Sequence, residues 1–139
     1  MRKNINLMIG LGLLLAVVMA CGATTANISS VKISTDENGK NETKTFKPGD
    51  KVYTVAQVSN NGGKVDVKWR LLYDDGDKAG QMVPQTEKTV EVQGDAPAVF
   101  WVTLPPAGAQ NGRYKSEVSM MYSGEQKDQK TATFEITGY

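Results

Sequence analysis

The chain has 139 residues, of which 16 are Lys or Arg and 15 are Asp or Glu, so its formal net charge is +1. That length provides for one domain, and a nearly neutral chain lacks the basic surface typical of nucleic-acid binding. Because the sequence contains no histidine and a single cysteine, it excludes a histidine base, a Cys/His zinc site and an intrachain disulfide.

The first 20 residues have the organisation of a secretory signal peptide. Arg2 and Lys3 supply a positive start, and an uncharged, mostly apolar run covers residues 7–20. A transmembrane helix is the alternative, but a bilayer span needs about 20 apolar residues and this run is shorter. We therefore expect residues 1–20 to be a cleaved leader.

The end of this leader, Val18-Met19-Ala20-Cys21-Gly22, resembles the lipobox of bacterial lipoproteins. The resemblance implies that the thiol of Cys21 receives diacylglycerol and that the lipid anchors the protein to the cell membrane or the outer membrane. Gly22 after the cysteine resembles the outer-membrane sorting pattern of Gram-negative members. The alternative is that Cys21 is an ordinary apolar residue of the leader, but a lone cysteine directly after such a run favours lipidation.

Small and polar residues follow the cysteine, and they predict a lipidated tether over residues 21–27. The six residues 22–27 that follow Cys21 reach at most about 20 Å when extended, so the domain is expected close to the bilayer. No second linker, repeat or low-complexity tract follows. We therefore expect one domain over residues 28–139.

This domain has the residue pattern of β-structure. Val65, Val67, Trp69, Leu71 and Tyr73 share one face of a predicted strand, and the opposite face carries Asp66, Lys68 and Arg70. This pattern places Trp69 on the core face. The segment 51–59 has apolar residues on both faces, so its register stays open. Strands are predicted over seven segments: 28–35, 51–59, 65–73, 86–93, 98–104, 114–122 and 131–136.

Turn-forming sequences such as Asp36-Glu37-Asn38-Gly39 separate the segments, and seven short strands at this spacing predict an antiparallel sandwich. The pattern resembles an all-β, immunoglobulin-like or fibronectin-III-like β-sandwich. The resemblance rests on Trp69 in the third strand, Gly112-Arg113-Tyr114 at the start of the sixth, and residues 133–136 in the last. It implies that Tyr114 is a tyrosine corner, although the paired cysteines of antibody domains are missing.

The sequence contains no recognisable catalytic set and implies no cofactor. The serines have no histidine to activate them, although a Ser-Lys pair is formally possible, and no spacing suggests a carboxylate pair for glycoside hydrolysis. Asp74-Asp75-Gly76-Asp77 is the densest carboxylate cluster. Calcium could use such a turn, but hairpin turns also favour Asp and Gly. We assign no metal site to it.

Trp101 is the candidate ligand-binding residue. In the segment 98–104 the core face carries Ala98, Phe100, Val102 and Leu104, so Trp101 is expected to point outward. Exposed tryptophans are enriched at binding hot spots. The alternatives are a bulge that turns Trp101 inward, or packing beneath the loop near Pro105.

The sequence as a whole predicts a membrane-anchored lipoprotein of the cell envelope that is not an enzyme. Its sandwich is expected to bind a protein or glycan partner, and no nucleic acid. The alternative function is an assembly factor or inhibitor that binds by strand addition at a sheet edge. A hydrolase of an envelope polymer is the third and least favoured hypothesis.

Overall fold

A computed structural model describes residues 24–139 of the chain. The predicted leader and Cys21 lie outside the described residues. Within 24–139, no helix is long and apolar enough to cross a membrane. The described residues form eight strands: β1 Asn27–Ser34, β2 Thr45–Phe46, β3 Lys51–Ser59, β4 Lys64–Tyr73, β5 Lys88–Gln93, β6 Ala96–Thr103, β7 Gly112–Tyr122 and β8 Glu125–Ile136.

The strands form two sheets that pack as an immunoglobulin-like β-sandwich, as the sequence predicts. One sheet has the order β1-β3-β6 and the other has the order β2-β8-β7-β4-β5. All neighbours are antiparallel except β2, which runs parallel to β8. The consecutive strands β5 and β6 therefore belong to different sheets.

Alternating side chains of the two sheets fill the space between them. Trp69 of β4 is 1% exposed and stacks on Phe100 of β6, with ring centroids 5.4 Å apart and planes 10° from parallel. This stack joins the two sheets, because β4 and β6 belong to different ones. The prediction that Trp69 is a core residue is confirmed.

A buried chain of hydrogen bonds lies beside this stack. The indole Nε1–H of Trp69 donates to Ser116 Oγ over 2.7 Å, and Ser116 Oγ is 2.7 Å from Thr54 Oγ1. Thr54 lies on β3 and Ser116 on β7, so the bond between them crosses from one sheet to the other. The polar groups that the sandwich buries here are therefore satisfied by one another.

The start of β7 is fixed by Tyr114, which acts as the predicted tyrosine corner. Its hydroxyl donates to the carbonyl of Gln110 over 2.6 Å, and its ring packs between Tyr73 and Phe134. Burial of the ring raises the pKa of the Tyr114 hydroxyl above its ordinary value. This hydrogen bond ties the loop before β7 to the core.

The carboxylate-rich turn packs against the same end of β7. Asp75 Oδ2 accepts a hydrogen bond from the backbone N–H of Arg113, and Asp74 Oδ1 lies 3.5 Å from Lys115 Nζ. Gly112 approaches this turn so closely that an added Cβ would lie 2.6 Å from Asp75 Oδ1. Asp74 and Asp75 thus interact with a lysine side chain and with the backbone of β7. Within residues 24–139, no group of three or more His, Cys, Asp or Glu side chains is arranged to hold a metal ion.

Several strand limits differ from those expected. Ala26 is buried and β1 begins at Asn27, so the ordered domain takes in the last residues of the expected tether. β5 begins at Lys88 rather than Thr86, because Thr86 Oγ1 instead accepts from Leu71 N–H and donates to the Val83 carbonyl. β8 begins at Glu125, six residues earlier than expected, because these polar residues pair with β7.

The two-residue strand β2 is an element that the sequence pattern did not predict. It belongs to a segment that crosses from one sheet to the other: Thr43 N–H donates to the carbonyl of Ile33 in β1, and Glu135 N–H donates to that of Lys44. Phe46 is fully buried and contacts Phe134 edge-on at 5.6 Å. A strand of two residues is too short to show an alternation of apolar and polar residues, so the sequence pattern does not predict it.

Candidate functional site

The outward face of the three-stranded sheet is concave and forms a groove of about 780 Å³, called the outer groove below. All three strands contribute to its floor, and the loop after β1 contributes one wall. Its lining residues are Ser30, Lys32, Glu37, Asn38, Lys51, Tyr53, Val55, Gln57, Pro97, Val99 and Trp101.

Strand register explains why apolar residues line this outward face. Tyr53 pairs with Trp101 and Val55 pairs with Val99, and directly paired residues share one face of a sheet. The alternate positions of β3, such as Val52 and Ala56, are buried in the core. The two-sided apolar pattern of 51–59, which left its register open, therefore reflects one face in the core and the other in the outer groove.

Trp101 is 46% exposed, which confirms the prediction that it points outward. The pairing of β3 with β6 is regular from Ala96 to Thr103, so no bulge turns the indole inward. Its role in binding stays a prediction. Trp101 also lines a smaller depression on its other side, beside Lys88.

The aromatic part of the groove is flanked by lysines. The rings of Tyr53 and Trp101 lie 6.5 Å apart, and Lys51 Nζ is 5.1 Å from the centroid of each ring. Lys88 Nζ is 5.1 Å from the Trp101 ring. These are cation–π distances, so each ammonium group is attracted to the ring and restricts its motion.

The wall of the groove is a loop organised by one carboxylate. Asp36 Oδ2 accepts from Asn41 N–H at 2.6 Å, and Asp36 Oδ1 accepts from Asn38 N–H at 2.9 Å and Lys40 N–H at 3.2 Å. These bonds, above all the one from Asn41, hold the pKa of Asp36 below its ordinary value. The loop thereby places Gly39 against Val55, which is consequently buried.

The groove combines apolar surface with a few polar groups of both charges. Lys32 lies 3.7 Å from Glu42, whereas Lys51 has no ion-pair partner among residues 24–139. Glu37 is the only carboxylate in the lining. Such a site can pack a ring against Tyr53 and Trp101 and hydrogen-bond its polar substituents.

The sequence predicts the outward position of Trp101 but not which residues surround it. Tyr53 and Val55 belong to the segment 51–59, whose apolar residues on both faces leave its register open in the sequence. The loop at Asp36-Glu37-Asn38-Gly39 was recognised as a turn, without the inference that it folds over β3. The sequence signal that could have indicated the groove is the presence of apolar residues on both faces of the segment 51–59.

Comparisons with known proteins add support for the fold. No protein-family model matches the chain, and no curated protein sequence matches it. Among solved structures, the C-terminal domain of wzt has a TM-score of 0.53 and 15% identity, with coverage of 85% of this chain and 77% of that one.

Two larger proteins contain a similar region. A putative beta-galactosidase from Bacteroides fragilis has a TM-score of 0.55 and 14% identity, covering 78% of this chain and 17% of that one. The DNA glycosylase AlkC of Pseudomonas fluorescens also has a TM-score of 0.55 and 14% identity, covering 88% and 33%. This chain thus spans a minor part of each, and at such identities the likeness concerns the fold alone.

Proposed function

We propose that this chain is a lipid-anchored protein of the bacterial cell envelope whose sandwich domain binds a glycan in the outer groove. It acts as a binding module and does not catalyse a reaction on the glycan. The observation that carries the proposal is the exposed Trp101 beside Tyr53 on a concave sheet face.

The aromatic pair favours a sugar as the ligand. One face of a pyranose ring presents C–H groups, which pack well against the electron-rich face of an indole or phenol ring. Tyr53 and Trp101 are tilted by 41° to each other, so together they form a shallow cradle about one or two rings wide. The smaller polar groups of Gln57 and Asn38 are within the same lining and can bond hydroxyl groups.

The charges of the groove support binding without hydrolysis. Glycoside hydrolysis by the common mechanisms uses two carboxylic groups, one on each side of the bond that is cleaved. The lining contains Glu37 alone, while Lys32 and Lys51 supply positive charge. A protein partner is the alternative ligand, and the experiment below separates the two.

The binding test compares Trp101→Ala with the native protein on an array of immobilised bacterial envelope polysaccharides and oligosaccharides. Truncation of a central aromatic anchor is expected to weaken binding by at least about tenfold, since alanine substitution of a hot-spot residue typically costs about 2 kcal/mol or more. Met82→Ala is the matched control, because Met82 is the other large apolar side chain exposed in residues 24–139 and lies outside the groove.

The melting temperatures of both variants should stay within a few degrees of the native value, since both side chains lie on the surface and neither belongs to the buried core. Glycan binding in the groove would be contradicted if the native protein bound no saccharide on the array, or if Trp101→Ala bound the same saccharides as strongly as the native protein. Loss of a protein partner with unchanged saccharide binding would assign Trp101 to protein recognition instead.

The membrane anchor rests on Cys21 and has its own test. Cys21→Ala is expected to abolish incorporation of labelled palmitate in cells and to leave uncleaved precursor, because the thiol is the acceptor of the lipid. Two or three acyl chains anchor stably at roughly 0.8 kcal/mol per buried CH₂. Equal labelling of the native and Cys21→Ala proteins would refute the assignment.

A further inference from the structure

A second recognition feature lies on the opposite sheet, at the free edge of β8. β8 pairs with β7 along its length, from Glu125 to Ile136. On its other side β2 pairs with two residues only, Glu135 and Ile136. In the part of the chain that the structure describes, no strand pairs with this side of β8 before Glu135.

The direction of the backbone groups follows from the register. Glu135 N–H donates to Lys44 O, so the backbone of Glu135 faces away from β7. In an antiparallel pair, alternate residues face the partner strand and the residues between them face away from it. The register of β7 with β8 is regular here, so the N–H and C=O groups of Thr131 and Thr133 also face away from β7.

A groove of about 640 Å³ accompanies this edge, and we call it the edge groove. Thr131 and Thr133 line it, and Val31 of β1 and Ala132 form an apolar floor that packs on the core. One end is closed where residues 43–45 cross to β2. Toward the other end, the backbone N–H of Ile28 donates to Asp128 Oδ2 and ties β1 to β8.

We propose that the edge groove binds an extended acidic segment of a partner protein by strand addition to β8. The segment would lie along the part of the β8 edge that β2 does not cover, and its backbone would form hydrogen bonds with the backbone of Thr131 and Thr133. The five residues 129–133 cover about 17 Å of the edge at about 3.3–3.4 Å per residue, which suits a segment of four or five residues. A small apolar side chain of the segment would lie on Val31 and Ala132.

Two features define the chemistry of this occupant. The first is continuity, since β2 already occupies the adjoining part of the same edge. The second is charge: Lys32, Glu42 and Lys44 line the groove, and Glu42 lies 3.7 Å from Lys32. Lys44 has no ion-pair partner among residues 24–139, so its positive charge is left for the occupant. Lys127 and Lys130 on β8 would oppose pairing of two copies, because such lysines protect free edges against self-association.

The test uses Thr133→Pro and its matched control Thr133→Val. Proline removes an N–H that faces away from β7, so the β7–β8 ladder keeps its bonds, whereas valine keeps the N–H and the side-chain shape. The probes are immobilised decapeptides with alternating apolar and polar residues and with glutamate at varied polar positions. Peptides methylated at alternate backbone nitrogens form the second arm.

The native protein and Thr133→Val should bind the same glutamate-containing peptides, and Thr133→Pro should bind them at least about tenfold more weakly. Methylation of one alternating set of peptide nitrogens should abolish binding, and methylation of the other set should not. This arm uses native protein only, so it decides the question even if Thr133→Pro fails to fold.

Three results would overturn the proposal. One is that no peptide binds the native protein, and another is that both methylated sets bind equally. The third is a native dimer that Thr133→Pro dissociates, which would make a second copy of this chain the occupant. None of these results depends on Trp101, so the outer groove and the edge groove are tested separately.

Discussion

The buried hydrogen bonds at Ser116 allow a quantitative test of the core. Ser116 Oγ is the hydrogen-bond partner of both Trp69 Nε1–H and Thr54 Oγ1, each at 2.7 Å. Ser116→Ala would therefore leave two fully buried polar groups without a partner. An unsatisfied buried group costs about 1–3 kcal/mol, so the loss of two partners should lower the free energy of unfolding by about 2–6 kcal/mol.

The expected loss is far larger than the change in size would suggest. Ser119 is the matched control, because it is a second buried serine on β7 for which the structure shows no side-chain hydrogen bond. Ser119→Ala should change the free energy of unfolding by less than about 1 kcal/mol. Thr54→Val removes one partner and keeps the Trp69–Ser116 bond, so it should cost about 1–2 kcal/mol.

Urea unfolding of the purified variants measures these differences, provided that each transition is two-state with an unchanged m-value. The double variant Thr54→Val/Ser116→Ala should be less destabilised than the sum of the single variants, because the second change removes a group that the first had left unpaired. A Ser116→Ala loss within about 1 kcal/mol of that for Ser119→Ala would refute the reasoning.

Three further predictions concern the turns. Tyr114→Phe should lower the free energy of unfolding by about 1–2 kcal/mol in urea, because it removes the bond to Gln110. Gly112→Ala should lower the free energy of unfolding by about 1–3 kcal/mol in the same assay, because Gly112 has a φ of +139° and an added Cβ would contact Asp75. Gly62→Ala is the control and should be nearly neutral, because the space around Gly62 is open. The pKa of Asp36 is lowered on folding, so its stabilising effect is complete above the ordinary value of 3.8 and is lost as the pH falls through the folded value. The melting-temperature gap between native and Asp36→Asn proteins should therefore shrink from pH 7 to pH 3, and a gap independent of pH would contradict this.

The sandwich was predictable from sequence because most of its strands have one core face and one solvent face. That alternation placed Trp69 inward and Trp101 outward, and the structure agrees on both. Tyr114 was placed from the resemblance to immunoglobulin-like domains, and its hydroxyl makes the expected bond. Strong periodicity therefore carried the assignments of the two tryptophans, and the resemblance carried that of Tyr114.

The parts that escaped prediction lack a local signal. β2 is two residues long, and only its long-range contacts with β8 define it. Thr86 has strand-like chemistry, but its hydroxyl bonds to Leu71 and Val83 and takes it out of β5. The outer groove depends on which strands are neighbours and on a loop folding across them, and periodicity within one segment contains neither piece of information.

The order β1-β3-β6 has a consequence for how the outer groove comes into being. No two of these strands are consecutive in the chain, so no single hairpin can form the groove. Pairings between distant segments are slow to form, and the site is therefore expected to mature only with the whole domain. Occupation of the groove would in turn stabilise the entire fold, by about 2.7 kcal/mol at a ligand concentration of 100 times Kd. If the proposed glycan occupies the groove, its binding would therefore also protect the domain against unfolding and proteolysis.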